Sequence, residues 1–163
     1  MKKILLLSDT HSYMDETILS RASQHDEIWH AGDWGVVTLF DQLNAIKPVR
    51  GVYGNIDGEE VRKVCPKIQV FQCEEMKIFM THIGGYPGRY KTPVYNYLLG
   101  EKPDIVICGH SHILKVIYDK NLQHLHLNPG AIGQHGFHKV RTMLSFKIDK
   151  KEIKDLVVLE YPK

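Results

Sequence analysis

Five short stretches of this chain each supply Asp, Asn or His where an apolar run gives out. They are Asp9-Thr10-His11, Gly32-Asp33, Gly54-Asn55-Ile56-Asp57, Thr81-His82 and Gly109-His110-Ser111-His112. With Asp57 set aside, they offer in order two carboxylates (Asp9, Asp33), one amide (Asn55) and four imidazoles (His11, His82, His110, His112). Mixed nitrogen and oxygen donors in that number suit two borderline divalent ions better than one structural zinc. Each stretch alone has an ordinary reading: Asp9 as a helix cap, Gly32-Asp33 as a turn, Asn55 as a residue that tolerates a left-handed backbone. His110 and His112 say more, because alternate residues of an extended chain point the same way. The conjunction of all five points to a dinuclear metal centre.

Such residues need a frame that brings them together. Ile4 to Leu7 is a continuous apolar run, the pattern of a strand buried on both faces. A helix is expected from about Asp15 to Gln24, with Ile18, Leu19 and Ala22 on one face, then a short strand over Glu27 to Trp29. Phe40, Leu43 and Ile46 mark a second helix closed by Pro48, and Val49 to Val52 a third strand leading into Gly54. Ile68 to Cys73 and Met76 to Met80 read as a hairpin about Glu74-Glu75. A helix near Val94 to Leu99 then precedes a strand from Ile105 to Cys108. Two further hairpins follow, Val116 to Tyr118 with Leu122 to Leu127, and Thr142 to Ile148 with Ile153 to Leu159. The pattern predicts an α/β domain spanning 1–163 with two sheets packed face to face and helices outside. Sites in open α/β sheets collect at the carboxyl ends of strands, where Asp9, Asp33, Asn55, His82 and His110 are expected to fall.

Composition sets the background. With 163 residues, 43% of them hydrophobic, and a formal charge of +2, the chain suits one packed core and shows no basic patch suited to nucleic acid. No apolar stretch approaches a membrane span, and the run after Lys2-Lys3 is too short for a signal-peptide core. Cys65, Cys73 and Cys108 lie far apart without a Cys-x-x-Cys pair, as expected for buried reduced thiols in a cytoplasmic protein.

The order Asp-x-His, Gly-Asp, Gly-Asn-x-Asp, Thr-His, Gly-His-x-His resembles the calcineurin-like metallophosphoesterase superfamily, and the length is similar to its small single-domain bacterial and archaeal phosphodiesterases. The resemblance spans Leu5 to about Ala131. It implies a four-layer αββα sandwich of two mixed sheets flanked by helices, with two metals at one end. It also implies that Asp9, His11, Asp33 and His112 hold the first ion, that Asp33 bridges, and that Asn55, His82 and His110 complete the second site. Asn128-Pro129-Gly130 resembles a turn that recurs in the family, and reads equally as a proline turn without chemistry. Three departures stand out. Ile56 replaces a histidine common in Gly-Asn-His-Asp, Ile83 intervenes between His82 and Gly84-Gly85, and Ala131 stands where serine often follows the Asn-Pro-Gly turn. Asp57 is retained and is expected to support the ligands from behind, and His30 reads either the same way or as a core histidine.

The expected chemistry is hydrolysis of a phosphodiester by a hydroxide bridging two divalent ions, with Asp33, Asn55 and His82 at its centre. Two ions bring four positive charges; Asp9, Asp33 and the hydroxide remove three. The remaining charge matches a diester monoanion better than a monoester dianion. Manganese is the first expectation, with iron, zinc, nickel or cobalt open. A small or nucleotide-like diester is the expected partner, without membrane or long nucleic acid, and a homo-oligomer is left open. Arg89 and Lys91, in the glycine-rich stretch Gly84 to Lys91, are candidate phosphate-binding residues, with Tyr86 and Tyr90 as base-stacking candidates. His124, His126, His135 and His138 are set outside the metal site, and Trp29 and Trp34 are read as core or rim. The competing function class is a non-catalytic scaffold of the same fold, as in a retromer subunit with altered ligands; the complete ligand set here favours the enzyme.

Overall fold

The computed structural model describes all of residues 1–163. The chain runs β1 (Lys2–Leu7), α1 (Glu16–Ser23), β2 (Glu27–His30), α2 (Thr38–Asn44), β3 (Val49–Gly51), α3 (Glu59–Val64), β4 (Ile68–Cys73) and β5 (Met76–Thr81). It continues with α4 (Thr92–Glu101), β6 (Ile105–Ile107), β7 (Leu114–Asp119), β8 (His124–Pro129), β9 (Val140–Asp149) and β10 (Glu152–Pro162). One sheet has the order β10-β9-β1-β2-β3 and the other β4-β5-β6-β8-β7. Both are mixed. β1, β2 and β3 are parallel, as are β5, β6 and β8, while the hairpin partners β9, β10, β4 and β7 run antiparallel to their neighbours.

The layering follows from side-chain alternation. On β1, Ile4 and Leu6 face a core shared with Trp29, Ile78, Met80 and Ile107, which lies between the sheets. Leu5 and Leu7 face the other way, onto Ile18, Ala22, Leu39, Leu43 and Val61 of the first three helices. Phe79, Val106 and Cys108 of the second sheet meet Val94 and Leu98 of α4. The result is the expected αββα arrangement, in which full burial of each such aliphatic side chain contributes about 1.5–3 kcal/mol.

Local signals explain most boundaries. Asp15 caps α1, its carboxylate accepting from the Ile18 amide at 2.9 Å. α2 ends at Asn44, so Ile46 packs from just beyond the helix. α3 escapes a reading by periodicity: it has six residues and only Val61 among them is buried. The final hairpin is longer than its apolar pattern, because β10 is an edge strand with exposed polar residues and a register shift between Lys154 and Val157. No helix is long and apolar enough to cross a membrane.

Candidate metal centre

The strand ends deliver the five motifs to one place. Asp9, His11, Asp33, His110 and His112 all have positive φ, at 55°, 44°, 59°, 72° and 61°. A left-handed conformation costs a non-glycine residue roughly 1–2 kcal/mol, so five such residues around one point need external support. Backbone bonds between the loops supply it: Asp9 N donates to Gly32 O at 2.9 Å, His11 N to Asp33 O at 3.0 Å, and Gly109 N to His82 O at 3.0 Å. Gly32 is required where these loops meet, since its φ is +101° and a Cβ there would stand 2.6 Å from His82 Nδ1.

Two donor groups result, Asp9 with His11 and His112, and Asp33 with His82 and His110, each with its ligand atoms within 4.8 Å of one another. Asp33 Oδ2 links them, lying 3.1 Å from His82 Nε2 and 3.4 Å from His11 Nε2. Asp9 Oδ1 lies 3.1 Å from His112 Nε2 and 3.8 Å from His82 Nε2. Asn55 Oδ1 is 3.1 Å from His110 Nδ1, so the amide joins the second group. Asn55 and His110 are exposed whereas Asp9, Asp33 and His82 are buried, which leaves the cluster open on the Asn55–His110 side.

The donor atoms are prepared for a cation. Asp9 Oδ1, His11 Nε2 and His82 Nε2 are buried without a hydrogen-bond partner. An orphaned buried polar atom costs about 1–3 kcal/mol, and three converging on one point fit divalent ions. The opposite edges are occupied. His82 Nδ1 donates to the Ala31 carbonyl at 2.7 Å, which turns Nε2 inward; Ser8 Oγ donates to Asp9 Oδ2 at 2.6 Å; and the Ile56 amide donates to Asp33 Oδ1 at 3.1 Å. Burial alone would lower the His82 pKa, but the Asp33 carboxylate 3.1 Å away and the charge of Asp9 outweigh it and raise the imidazole above its ordinary value. Burial opposes ionisation of Asp33 too, yet His82 and the Ile56 amide bring its pKa below the ordinary one. His11 and His110 are lowered, chiefly by burial.

The supporting residues act on backbone rather than on ligand side chains. Asp57 accepts from Trp34 N at 3.1 Å, Gly35 N at 2.9 Å and Gly54 N at 2.8 Å, tying the loops that carry Asp33 and Asn55. His30 is fully buried and stacked on Trp34 at 3.6 Å; Gly32 N donates to its Nδ1, and its Nε2 meets Thr10 Oγ1 at 3.1 Å. Burial holds its pKa well down, so it is a neutral core histidine between two ligand loops. Asn128 serves the third loop through bonds from Nδ2 to Gly109 O at 3.0 Å and to Ser111 Oγ at 3.2 Å, a role its turn-like sequence does not announce.

Other residues fall differently from the sequence reading. His135 stacks on His11 at 4.6 Å and His138 meets His112 edge-on at 5.4 Å, so both brace the ligands although no spacing marks them. His124 and His126 stay away from the centre, both meeting the Tyr90 hydroxyl at 2.8 and 2.7 Å. With Tyr86 bonded to Ser111 and Tyr90 to the two histidines, both tyrosine hydroxyls are engaged in bracing loops. Arg89 lines a separate groove with Tyr86, Pro87, Ile113, Lys115 and Ile117. Lys91 caps α4 with its backbone. The cations beside Asn55 and His82 are instead Arg62 and Lys67. Trp29 and Trp34 are fully buried, and the three cysteines are free and buried, which pushes their thiols up to about 12, 11 and 12 in chain order.

Residues 1–151 match the profile of the calcineurin-like phosphoesterase superfamily domain. The chain belongs to that superfamily. The superfamily is one of metal-dependent phosphoesterases, which accords with the paired donor groups of this chain. A probable metallophosphoesterase of Mycoplasma pneumoniae is 29% identical over 162 residues, covering 96% of each chain. In fold, the chain is similar to an archaeal phosphodiesterase (TM-score 0.71, 22% identity, 96% of this chain and 99% of that one). It is also similar to zinc-complexed Vps29 from Entamoeba histolytica (TM-score 0.75, 17% identity, 98% of each chain).

Proposed function

We propose that this metallophosphoesterase is a phosphodiesterase that hydrolyses a small or nucleotide-like diester with two divalent ions, manganese foremost. The observation that carries the reading is the convergence of three orphaned donor atoms, Asp9 Oδ1, His11 Nε2 and His82 Nε2, about a carboxylate shared by both groups. Asp9, His11 and His112 would hold one ion, Asn55, His82 and His110 the other, and Asp33 both. When bound, such a pair supplies Lewis acidity toward a phosphoryl oxygen and hydroxide near neutral pH. The chain's own part is to fix these donors from behind and to leave the Asn55–His110 side open for the diester.

Protonation of the leaving group is the weak point. Ile56 is 45% exposed at the position where a histidine is common, and it cannot hold a proton. His30 cannot substitute, because both ring nitrogens are committed and the ring is buried. General acid catalysis is worth about 10²- to 10⁴-fold, so the rate should fall steeply as leaving-group pKa rises. The test is a diester series from aryl to alkyl leaving groups in manganese, with Ile56→His alongside. Aryl esters cleaved far faster, and a shallower slope for Ile56→His, are expected. Absence of diester cleavage by protein holding two ions per chain would refute the function; a flat series would refute the missing acid. The scaffold alternative draws only on the fold of Vps29, and the complete donor set weighs against it.

A further inference from the structure

Beside the second donor group the surface sinks into a cavity of about 260 Å³, lined by Tyr53, Asn55, Arg62, Lys67, His82 and Ile83 among others. Its cations are unpaired, as neither Arg62 nor Lys67 has a carboxylate partner within ion-pair distance. Arg62 is also held in place. Its Nε donates to the Asp57 carbonyl at 2.7 Å, and its guanidinium lies over the Tyr53 ring at 4.3 Å. The Asp57 that anchors it is the residue that ties the Asp33 and Asn55 loops together. A cation fixed to the frame of the centre keeps a constant position relative to the scissile phosphate.

The occupant can be bounded by size and chemistry. Ordinary small-molecule sites run about 300–1,000 Å³, so this cavity suits a compact group rather than a nucleoside. Arg62 already occupies a face of Tyr53, the one tyrosine of the lining, so that face is not offered to a base. Two unpaired cations select for negative charge. Resting on the phosphodiesterase reading above, we propose that this cavity is a specificity subsite for a second anionic group, so that the preferred substrate is a compact phosphodiester whose retained arm carries a carboxylate or phosphate. Arg62 and Lys67 bind that arm while the diester phosphorus sits over the donor cluster.

The test uses full-length protein loaded with manganese, its metal content measured in every sample. The probes are 4-nitrophenyl diesters whose second arm is ethyl, 2-carboxyethyl or 2-trimethylammonioethyl, and two slow-reacting mimics whose arm is a P–C bond and whose one leaving group is methoxide, methyl ethylphosphonate and methyl 2-carboxyethylphosphonate. With one leaving group throughout, kcat/KM reports the arm alone. The carboxyethyl diester should exceed the ethyl one by about tenfold, the scale of one partly solvated charge-assisted contact. The carboxyethyl mimic should bind more tightly by a similar factor, and both ratios should shrink as salt rises. Arg62→Gln with Lys67→Gln should bring the ratios toward one at unchanged metal content and melting temperature, and Lys67→Arg should retain them. Equal binding of the two mimics by the unmodified protein, or a ratio that survives the double substitution, would overturn the subsite. Preferential binding of the carboxyethyl mimic without cleavage of any diester would keep the subsite and reject the phosphodiesterase.

Discussion

Metal occupancy should govern the stability of this chain, and Asp33 should govern occupancy. Without metal, Asp9 Oδ1, His11 Nε2 and His82 Nε2 are buried and unpartnered, so the folded state carries a penalty of several kcal/mol that ligation removes. At a free concentration one hundred times the dissociation constant, each bound ion stabilises the fold by about 2.7 kcal/mol. For a domain of this length each kcal/mol is worth about 2–4 °C, so two ions should raise the melting temperature by about 10–20 °C. Asn55→Ala removes a donor from the exposed second group only and should retain about half of that shift, together with one ion. Asp33→Asn removes the oxygen that stands 3.1 Å from His82 Nε2 and 3.4 Å from His11 Nε2, and should lose nearly all of it. The assay is thermal unfolding of chelated and manganese-loaded protein, paired with elemental analysis. Saturation at one ion or none in the unmodified protein, or equal loss of metal in Asp33→Asn, Asn55→Ala and the remote His126→Leu, would refute the assignment.

Asp57→Ala strands the amides of Trp34, Gly35 and Gly54 and should cost at least about 3 kcal/mol in denaturant unfolding, with metal content falling because two ligand loops lose their tie. An undiminished stability would mean that water replaces the carboxylate. His126 has its pKa pushed down to about 4, chiefly by burial and then by His124. Its unfolded value near 6.5 is higher, so the unfolded state binds the extra proton first: stability is full above pH 6.5 and falls as pH drops toward 4, by about 3 kcal/mol from this residue. In chelated protein, His126→Leu should flatten that decline between pH 7 and 4.5, and an unaltered slope would show that other imidazoles carry it.

Much of this was legible in the residues. Alternation and apolar runs located nearly every strand, because burial on one face or two leaves its period in the sequence. Donor types at strand ends indicated the two donor groups, since their side-chain chemistry is written directly in the residues. α3 was not legible, since a short helix with one buried residue, Val61, leaves no periodic trace. Nor was the bracing by His135 and His138, which depends on a loop folding back over His11 and His112. The left-handed backbone at Asp9, His11, Asp33, His110 and His112 is a tertiary decision too: Asp and His tolerate it better than most residues, but cross-loop hydrogen bonds sustain it. The same holds for the cations at the site. The glycine-rich stretch made Arg89 and Lys91 the candidates by proximity in sequence, but packing of α3 beside Asp57 sets Arg62 and Lys67 next to Asn55 and His82. Sequence states which groups are available; which of them share a cavity depends on how separate loops meet, and that is settled only when the two sheets close on their common core.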